Sequence, residues 1–438
     1  MVNALETGVS SKPGRFVLAA GIGLGWHAAS KLLRLMLALG LAALSLLSIE
    51  FLLEPLAELG LVYKLHQDIG GASLATLSLL GAIAAGRVVQ QQIRPVRAGA
   101  SPAHTQLAGR IVRENSRAAA GLVALGDKQV LFSDAGDAFL MYARRGRRFV
   151  VLFDPVGPRA AWPQLVTKLL KEAKACGCRV AFYQVSPDFL PVAADAGLRL
   201  FKLGDQAIVD LHRFDLKGGD WLKLRRSINR AERDGLEFSI VPPAEVAGLL
   251  DELAYVSDVW LAHHKAGEKG FSLGTFQRCY LCAHPVAIIR LEGRIVAFAN
   301  ILTTETKQDA FIDLMRHLPG THRGMMDLLF VKIMLHLKAE GYRQLDMGMA
   351  PLSGLSARPT APLWHRLGRL VYENGERLYN FKGVHAFKAK FDPDWQPRYL
   401  AVSGKREALP AVVDTALLIS GGGRRLVGRE RWGASAWS

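Results

Sequence analysis

Cysteine is scarce: the chain has four in 438 residues. Cys176 and Cys178 form a C-x-C, and Cys279 and Cys282 a C-x-x-C. That usage does not favour an exported, disulfide-stapled domain. Two readings of the thiols stand, four ligands for a zinc ion or free thiols in a reducing cytoplasm. The pairs lie far apart in sequence and nothing in it joins them, so no metal is assigned. Charge is also scarce, at 21% of residues against 50% hydrophobic, and such a composition calls for a search for membrane segments. Acids are the scarcer sign, with 39 Asp and Glu against 55 Lys and Arg. The net charge of +16 draws anionic partners, whether phosphate backbones or lipid head groups. Neither a G-x-x-x-x-G-K-S/T loop nor a G-x-S-x-G elbow occurs. Nucleotide hydrolysis and serine-hydrolase chemistry therefore lose their usual support.

What is present begins with two long apolar runs. Residues 35–49 carry no charge and follow Lys31 and Arg34; residues 69–86 carry none and precede Arg87, Arg94 and Arg97. A spanning helix needs roughly 17 to 25 mainly apolar residues. The second run meets this, and the first does when extended to Leu32 and Leu53. Glu50, Glu54, Glu58 and Asp68 lie between them with a single Lys64. Cations outside and anions between predict a transmembrane hairpin over 31–97, with residues 1–30 and everything after the hairpin on the cytoplasmic side. Two competing readings are a buried soluble helix for residues 69–86 and a cleaved signal peptide around residues 16–26, an apolar run after Lys12 and Arg15.

After the short linker 98–103 the pattern becomes that of a globular α/β protein. Strands are expected at 129–133, 138–143 and 148–153, then a helix at 162–174 and a strand at 179–185. A similar order returns: a hairpin of 285–291 and 294–302 around Glu292-Gly293, a strand at 309–314, a helix at 325–338 and a strand at 343–347. The second half thus repeats the first in kind, which predicts tandem α/β units over 104–220 and 236–405. A basic tail, 406–438, would close the chain.

Residues 221–235 lie between the units. Lys223, Arg226, Arg230 and Arg233 fall at helical spacing on one face of this segment, and Leu224, Ile228 and Ala231 on another. On this stretch the four cations are answered only by Glu232 and Asp234. A solvated charged face is the ordinary explanation for such a helix. The imbalance also suits a phosphate-bearing ligand such as RNA.

With this helix, the segments HHKAGEKGFSLGTF at 263–276, FIDLMRH at 311–317, LDMGMAPLSGL at 345–355 and LYNFKGVHAFKAKFDPDWQPRYLA at 378–401 carry a resemblance. Over about residues 104–405 the chain resembles the phosphatidylglycerol lysyltransferase family. Its members are the membrane-bound aminoacyl-phosphatidylglycerol synthases, also called multiple peptide resistance factors. The resemblance implies two acetyltransferase-like (GNAT) folds joined by a basic tRNA-binding helix, at the inner membrane. It implies transfer of an aminoacyl group, lysyl by the family's name, from aminoacyl-tRNA to phosphatidylglycerol, without a cofactor. The cationic product would lower negative membrane charge and confer resistance to cationic antimicrobial peptides. Typical members carry many spans that flip the product. With about two spans here, flipping by this chain alone is not implied: a separate flippase or a purely inner-leaflet role is allowed, and self-association stays open.

The implied reaction is a transesterification of an activated ester, which needs positioned anions, a group to orient or deprotonate a hydroxyl, and an oxyanion donor. Asp313 and Arg316 are the leading pair, placed just after a predicted strand where the fold would open. An Asp–Arg ion pair at a strand end is the structural alternative. His264 and His317 are candidate bases, and Glu268 a candidate contact for a cationic aminoacyl side chain. Lys388, Lys390 and Arg398, set among Tyr379, Phe381, Phe387, Phe391 and Trp395, suit a lipid phosphate or a tRNA acceptor end. In RHLPGTHRGMMD the glycines Gly320 and Gly324 are separated by bulky residues, a poor pyrophosphate nest, which disfavours coenzyme A. Two other functions remain open: aminoacyl transfer to a different acceptor, and a non-catalytic membrane tether that binds RNA or anionic lipid.

Overall fold

The computed structural model describes residues 99–264, 267–356, 358, 364–365 and 381–420. The expected hairpin over 31–97, the segment before it and the end of the basic tail lie outside these. Among the described residues no helix is long and apolar enough to cross a membrane.

Eleven strands form one sheet in the order β1-β2-β3-β4-β11-β5-β10-β9-β8-β7-β6. The first repeat contributes β1 (Gln129–Phe132), β2 (Phe139–Arg145), β3 (Arg148–Val156), β4 (Arg179–Val185) and β5 (Arg199–Asp210). The second contributes β7 (Val286–Leu291), β8 (Arg294–Thr303), β9 (Asp309–His317), β10 (Gln344–Pro351) and β11 (Asp394–Val402), with β6 (Leu236–Val241) added at the edge. Each repeat has one parallel pair, β3 with β4 and β9 with β10. A parallel pair needs a long crossover, supplied by α2 (Trp162–Ala175) and α7 (Met325–Ala339). α7 is apolar almost all round because it is covered by the sheet beneath and by α4 (Leu222–Arg233) on top.

The last strands of the repeats are exchanged. β5 pairs with β10 of the second repeat, β11 pairs with β4 of the first, and β5 and β11 pair with each other. The sheet is therefore continuous through the join. Pro397 is tolerated inside β11 because β4 pairs with that strand only from Tyr399 onward, so no ladder bond is lost on that side.

The strand assignments at 129–133, 148–153, 179–185, 285–291 and 294–302 agree with the structure to within a few residues. β9 does not stop near Leu314; it runs to His317 because β8 continues beside it, with Phe298 opposite Arg316 and Ala297 opposite His317. β5, β6 and β11 were not anticipated. Residues Ala408–Ile419, expected to begin a basic tail, form a final helix, α9, whose Ala408 and Ala411 are buried.

Both parallel pairs are forks. β3 and β4 pair from Arg148 to Leu152 and then part; β9 and β10 pair only from Asp309 to Phe311. The gap in the first repeat is stitched. Asp154 is buried, accepts from the Ser186 N–H at 2.9 Å and the Ser186 hydroxyl at 2.6 Å, and pairs with Arg117 at 2.5 Å.

Candidate active site

The second fork holds a different set of groups. Asp313 Oδ1 accepts the Gly274 N–H at 2.7 Å, and Oδ2 accepts the Tyr280 hydroxyl at 2.6 Å. Burial raises the Asp313 pKa, opposed by these two donors and by the charges of Lys128 and Arg316. Burial also pushes the Tyr280 phenol well up, reinforced by the Asp313 charge. Gly274 is required here, since a Cβ at that position would collide with the Asp313 carboxylate. The loop bearing it is anchored by Asp127, which accepts the Phe271 N–H at 2.8 Å. Lys128 is almost fully buried beside Asp127, and burial lowers its pKa against that partner's pull.

Arg316 lies three residues further along the same strand, a spacing that in a regular strand puts two side chains on opposite faces. A β-bulge corrects this. Ile312 faces Ile301 and Met315 faces Ala299, so Asp313 and Leu314 together oppose the single residue Asn300. The extra residue restores the parity, and Asp313 and Arg316 share a face. Asn300 occupies the bulge and accepts the Leu314 N–H at 2.7 Å.

The Arg316 guanidinium lies 4.2 Å over the Trp260 ring on α5 (Leu250–His263), and its Nη2 is 3.3 Å from Glu268. Its Nε is buried with no hydrogen-bond partner among the described residues. Burial lowers the Arg316 pKa, opposed by Glu268 and Asp313; a guanidinium still keeps its charge. His264 stacks on Trp260 at 4.3 Å and its Nδ1 lies 2.8 Å from the Trp260 carbonyl oxygen. Burial, then the charges of His264 and His263, hold the His317 pKa below its usual value.

The four residues read from sequence as catalytic candidates, Asp313, Arg316, His264 and Glu268, are thus brought to one arm of the fork. Asp313 and Arg316 do not make the strand-end ion pair that was the structural alternative to a catalytic role. Each has its own partners, a hydroxyl and an amide for the acid, a carboxylate and an indole for the base. Tyr280, Trp260, Gly274 and the Asp127–Lys128 pair escaped the sequence reading. They sit on other elements, and only the G in SLG hinted at a tight approach.

On α4 the sorting of faces follows the sequence. Leu224, Ile228 and Ala231 are buried, while Lys223, Arg226, Arg230 and Arg233 are exposed. Burying the Leu and Ile side chains stabilises the docked helix by roughly 1.5 to 3 kcal/mol each. Glu232 turns to Lys332 at 2.6 Å, and Asp234 to His322 at 3.1 Å as well as to Arg230 at 3.4 Å. Among the described residues no acid pairs with Lys223, Arg226 or Arg233. A groove of about 890 Å3 lies along this face, lined by Arg226, Asn229, Arg230, Glu232 and Arg233.

Of the closing-block cations, Lys388 and Arg398 both face Asp346 while Lys390 does not. Lys388, on α8 (Phe381–Ala389), donates to the Gly348 and Met349 carbonyls at 2.9 and 3.0 Å. Burial lowers its pKa to about 8, opposed by Asp346. Arg398 is buried on β11, bonded to Gln206, which in turn donates to Asp346. Lys390 turns away from both and pairs with Asp327 at 2.9 Å. Of the neighbouring aromatics, Phe391 is core and stacks on Phe330, with Phe387 against both. Cys176 and Cys279 are exposed and Cys178 is buried. Among the described residues no group of three or more His, Cys, Asp or Glu side chains is placed to hold a metal.

Two α/β repeats with exchanged last strands, one fork stitched and the other holding a half-buried acid and a stacked arginine, define a tandem α/β protein built on one continuous sheet. The chain belongs to the phosphatidylglycerol lysyltransferase C-terminal family, whose profile matches residues 109–402. It is 36% identical over 345 residues to the phosphatidylglycerol lysyltransferase of Bacillus subtilis, covering 78% of this chain and 39% of that protein. The Staphylococcus aureus (strain MRSA252) enzyme of the same name is 34% identical over 280 residues, 64% of this chain and 33% of the relative. The chain therefore spans well under half the length of these curated relatives. Among solved structures, a C-terminal domain assigned to lysylphosphatidylglycerol synthetase from Agrobacterium fabrum matches with TM-score 0.68 and 49% identity, over 74% of this chain and 98% of that one. The structure of L-PGS from Bacillus licheniformis matches with TM-score 0.65 and 35% identity, over 75% and 99% respectively.

Proposed function

We propose that this chain transfers a lysyl group from lysyl-tRNA to a glycerol hydroxyl of phosphatidylglycerol. The observation that carries the reading is the second fork, where a partly desolvated Asp313 and a stacked Arg316 share one face of β9 in a member of this family. Asp313 takes the proton of the lipid hydroxyl as its oxygen attacks the aminoacyl carbonyl. Burial, which raises the pKa of this carboxylate, makes it a better base. Tyr280 and the Gly274 amide fix its orientation. Arg316 turns its guanidinium charge toward the developing oxyanion or a substrate phosphate, while Glu268, 3.3 Å from Arg316, is the carboxylate that a cationic aminoacyl side chain would share. One ester C–O bond forms to the lipid, the bond to the ribose breaks, and the proton returns to the ribose oxygen. The ester carries its own activation, so no cofactor enters.

In this reading the repeats 104–220 and 236–405 are acetyltransferase-like units, and the linking helix α4 lays Lys223, Arg226, Arg230 and Arg233 along the tRNA backbone. Lys388 and Arg398, set beside Asp346, balance that carboxylate rather than hold a lipid phosphate. The apolar runs before residue 98 anchor the enzyme at the inner membrane. The product lowers membrane negative charge and with it the uptake of cationic antimicrobial peptides.

The test is lipid extraction after incubating the full chain with labelled lysyl-tRNA and phosphatidylglycerol vesicles. Labelled lysyl lipid is expected, and an unlabelled lipid fraction would overturn the reading. Alanine at Arg226, Arg230 and Arg233 is expected to weaken tRNA binding and flatten its salt dependence by up to about three counterions.

A further inference from the structure

The final helix α9, sequence ALPAVVDTALLI, carries apolar residues on its outward face as well as its inward one. Its one carboxylate, Asp414, points inward, 2.9 Å from the Arg148 Nε and 3.9 Å from the Arg145 Nε. Two of its large apolar residues nevertheless face outward, Leu409 at 67% and Val413 at 40% exposure, while Ala408, Ala411, Val412, Leu418 and Ile419 pack inward. Leu409 and Val413 lie one turn apart on one stripe, with the partly exposed Leu417 a further turn along. A surface helix in contact with water carries polar residues on its outward face.

Two observations say what covers this stripe. The first is where the surrounding chain arrives. The Ala100 N–H donates to the Lys128 carbonyl at 2.7 Å, and the Gly270 N–H donates to the Ile419 carbonyl at 2.8 Å. Asp127, next to Lys128, holds the Phe271 N–H. The start of the described chain, the C-terminal end of α9 and the loop carrying Glu268 and Gly274 are thus bonded to one another within a few residues. Upstream of Ala100 the sequence holds the two uncharged apolar runs. The second observation is the sequence following α9, where Arg424, Arg425, Arg429 and Arg431 stand against Glu430, with Trp432 and Trp437 among them. Cations and tryptophans that follow an apolar stripe in sequence suit the head-group region of an anionic bilayer.

We infer that the outward face of α9 is a membrane-docking surface that seats Leu409, Val413 and Leu417 in an anionic bilayer beside the loop that carries Glu268 and Gly274. The docking itself stands apart from the proposed reaction; only the activity arm of its test rests on that reading.

The test uses the full chain in vesicles of phosphatidylglycerol and phosphatidylcholine. Cys176, Cys279 and Cys282 are changed to Ser and the buried Cys178 is kept. An environment-sensitive fluorophore is attached at Leu409→Cys, Val413→Cys or, as a control on α5, Tyr255→Cys, where the native side chain is 63% exposed. Nitroxides on the lipid acyl chains should quench positions 409 and 413 at least about twofold more than position 255. Equal quenching at all three sites overturns the inference. So does a blue shift at 409 that follows protein concentration and ignores the nitroxide, which would assign the face to a second copy of this chain. In the activity arm, Leu409→Asp with Val413→Asp should slow transfer to vesicle phosphatidylglycerol about tenfold and leave transfer to detergent-dispersed lipid unchanged. An equal loss in both overturns the docking role. If the unaltered chain makes no lysyl lipid, the proposed reaction falls, and the quenching still decides the docking.

Discussion

The two forks begin alike and end differently. In the first, β3 and β4 part after Leu152, and a buried carboxylate on one arm bonds directly to the backbone of the other. In the second, β9 and β10 part after Phe311, and the carboxylate on the arm bonds to side-chain and loop donors from outside the strand pair. The bases of the forks carry opposite charge as well. β3 starts with Arg148, paired with Glu407 and Asp414; β9 starts with Asp309, which accepts the Ala118 N–H at 2.7 Å. One opening in the backbone can therefore be spent on stability or left for chemistry. What decides is whether the acid's partners belong to the neighbouring strand or to a loop and helix outside the pair.

Substitutions can break this comparison. The largest effect is expected from Asp313→Asn, which should slow lysyl transfer about 100- to 10,000-fold in a single-turnover assay while leaving the unfolding midpoint near that of the unaltered chain. Asp154→Ala should do the reverse. It leaves Arg117 without its buried partner and strips two bonds from Ser186, a cost of about 3 to 5 kcal/mol in urea unfolding, with the transfer rate of the folded fraction unchanged. If Asp154→Ala slowed transfer as much as Asp313→Asn, the division of labour between the forks would be wrong.

Asp309 sharpens the comparison through pH. Burial raises its pKa to about 7, reinforced by Asp346 and opposed by the Ala118 amide and Arg117. Between about pH 4 and 7 the folded protein therefore holds a proton that the unfolded chain has released. Stability must fall as pH rises through this window. Asp309→Asn keeps an acceptor for the Ala118 amide and removes the titration, so it should gain about 2 kcal/mol or more at pH 8 and little at pH 4. A stability difference that does not change with pH would refute this. The smallest effect is expected from Arg316→Lys. It keeps the charge and loses the planar stack on Trp260, and should lower kcat/KM about tenfold with no change in unfolding.

Much of the fold was legible because its signals are local. The hairpin around Glu292-Gly293, the run from 148 and the helices α2, α4 and α7 are set by periodicity and turn residues within a short window. β5 and β11 were not legible. Lys202, Gly204, Asp205 and Gln206 interrupt the first, Pro397 and Arg398 the second, and a strand that lies between two others needs no clean alternation. The exchange between repeats is a choice among distant partners that no window reveals. At the site, the acid and the arginine stood out in FIDLMRH, whereas the bulge that puts them on one face depends on Asn300 across the strand pair. Tyr280 and Trp260 reach the fork from helices whose local sequence reads as ordinary core.

The crossed final strands also bear on how the protein can be made. A nascent chain that has emerged only as far as β5 has no neighbour for either edge of that strand, because β10 and β11 are still to be synthesised. The first half must wait on the ribosome with an open ladder until almost the whole polypeptide has appeared. Such a wait favours chaperone attendance over domain-by-domain folding. Loss of the segment beyond residue 393 would leave both halves incomplete, not the second alone.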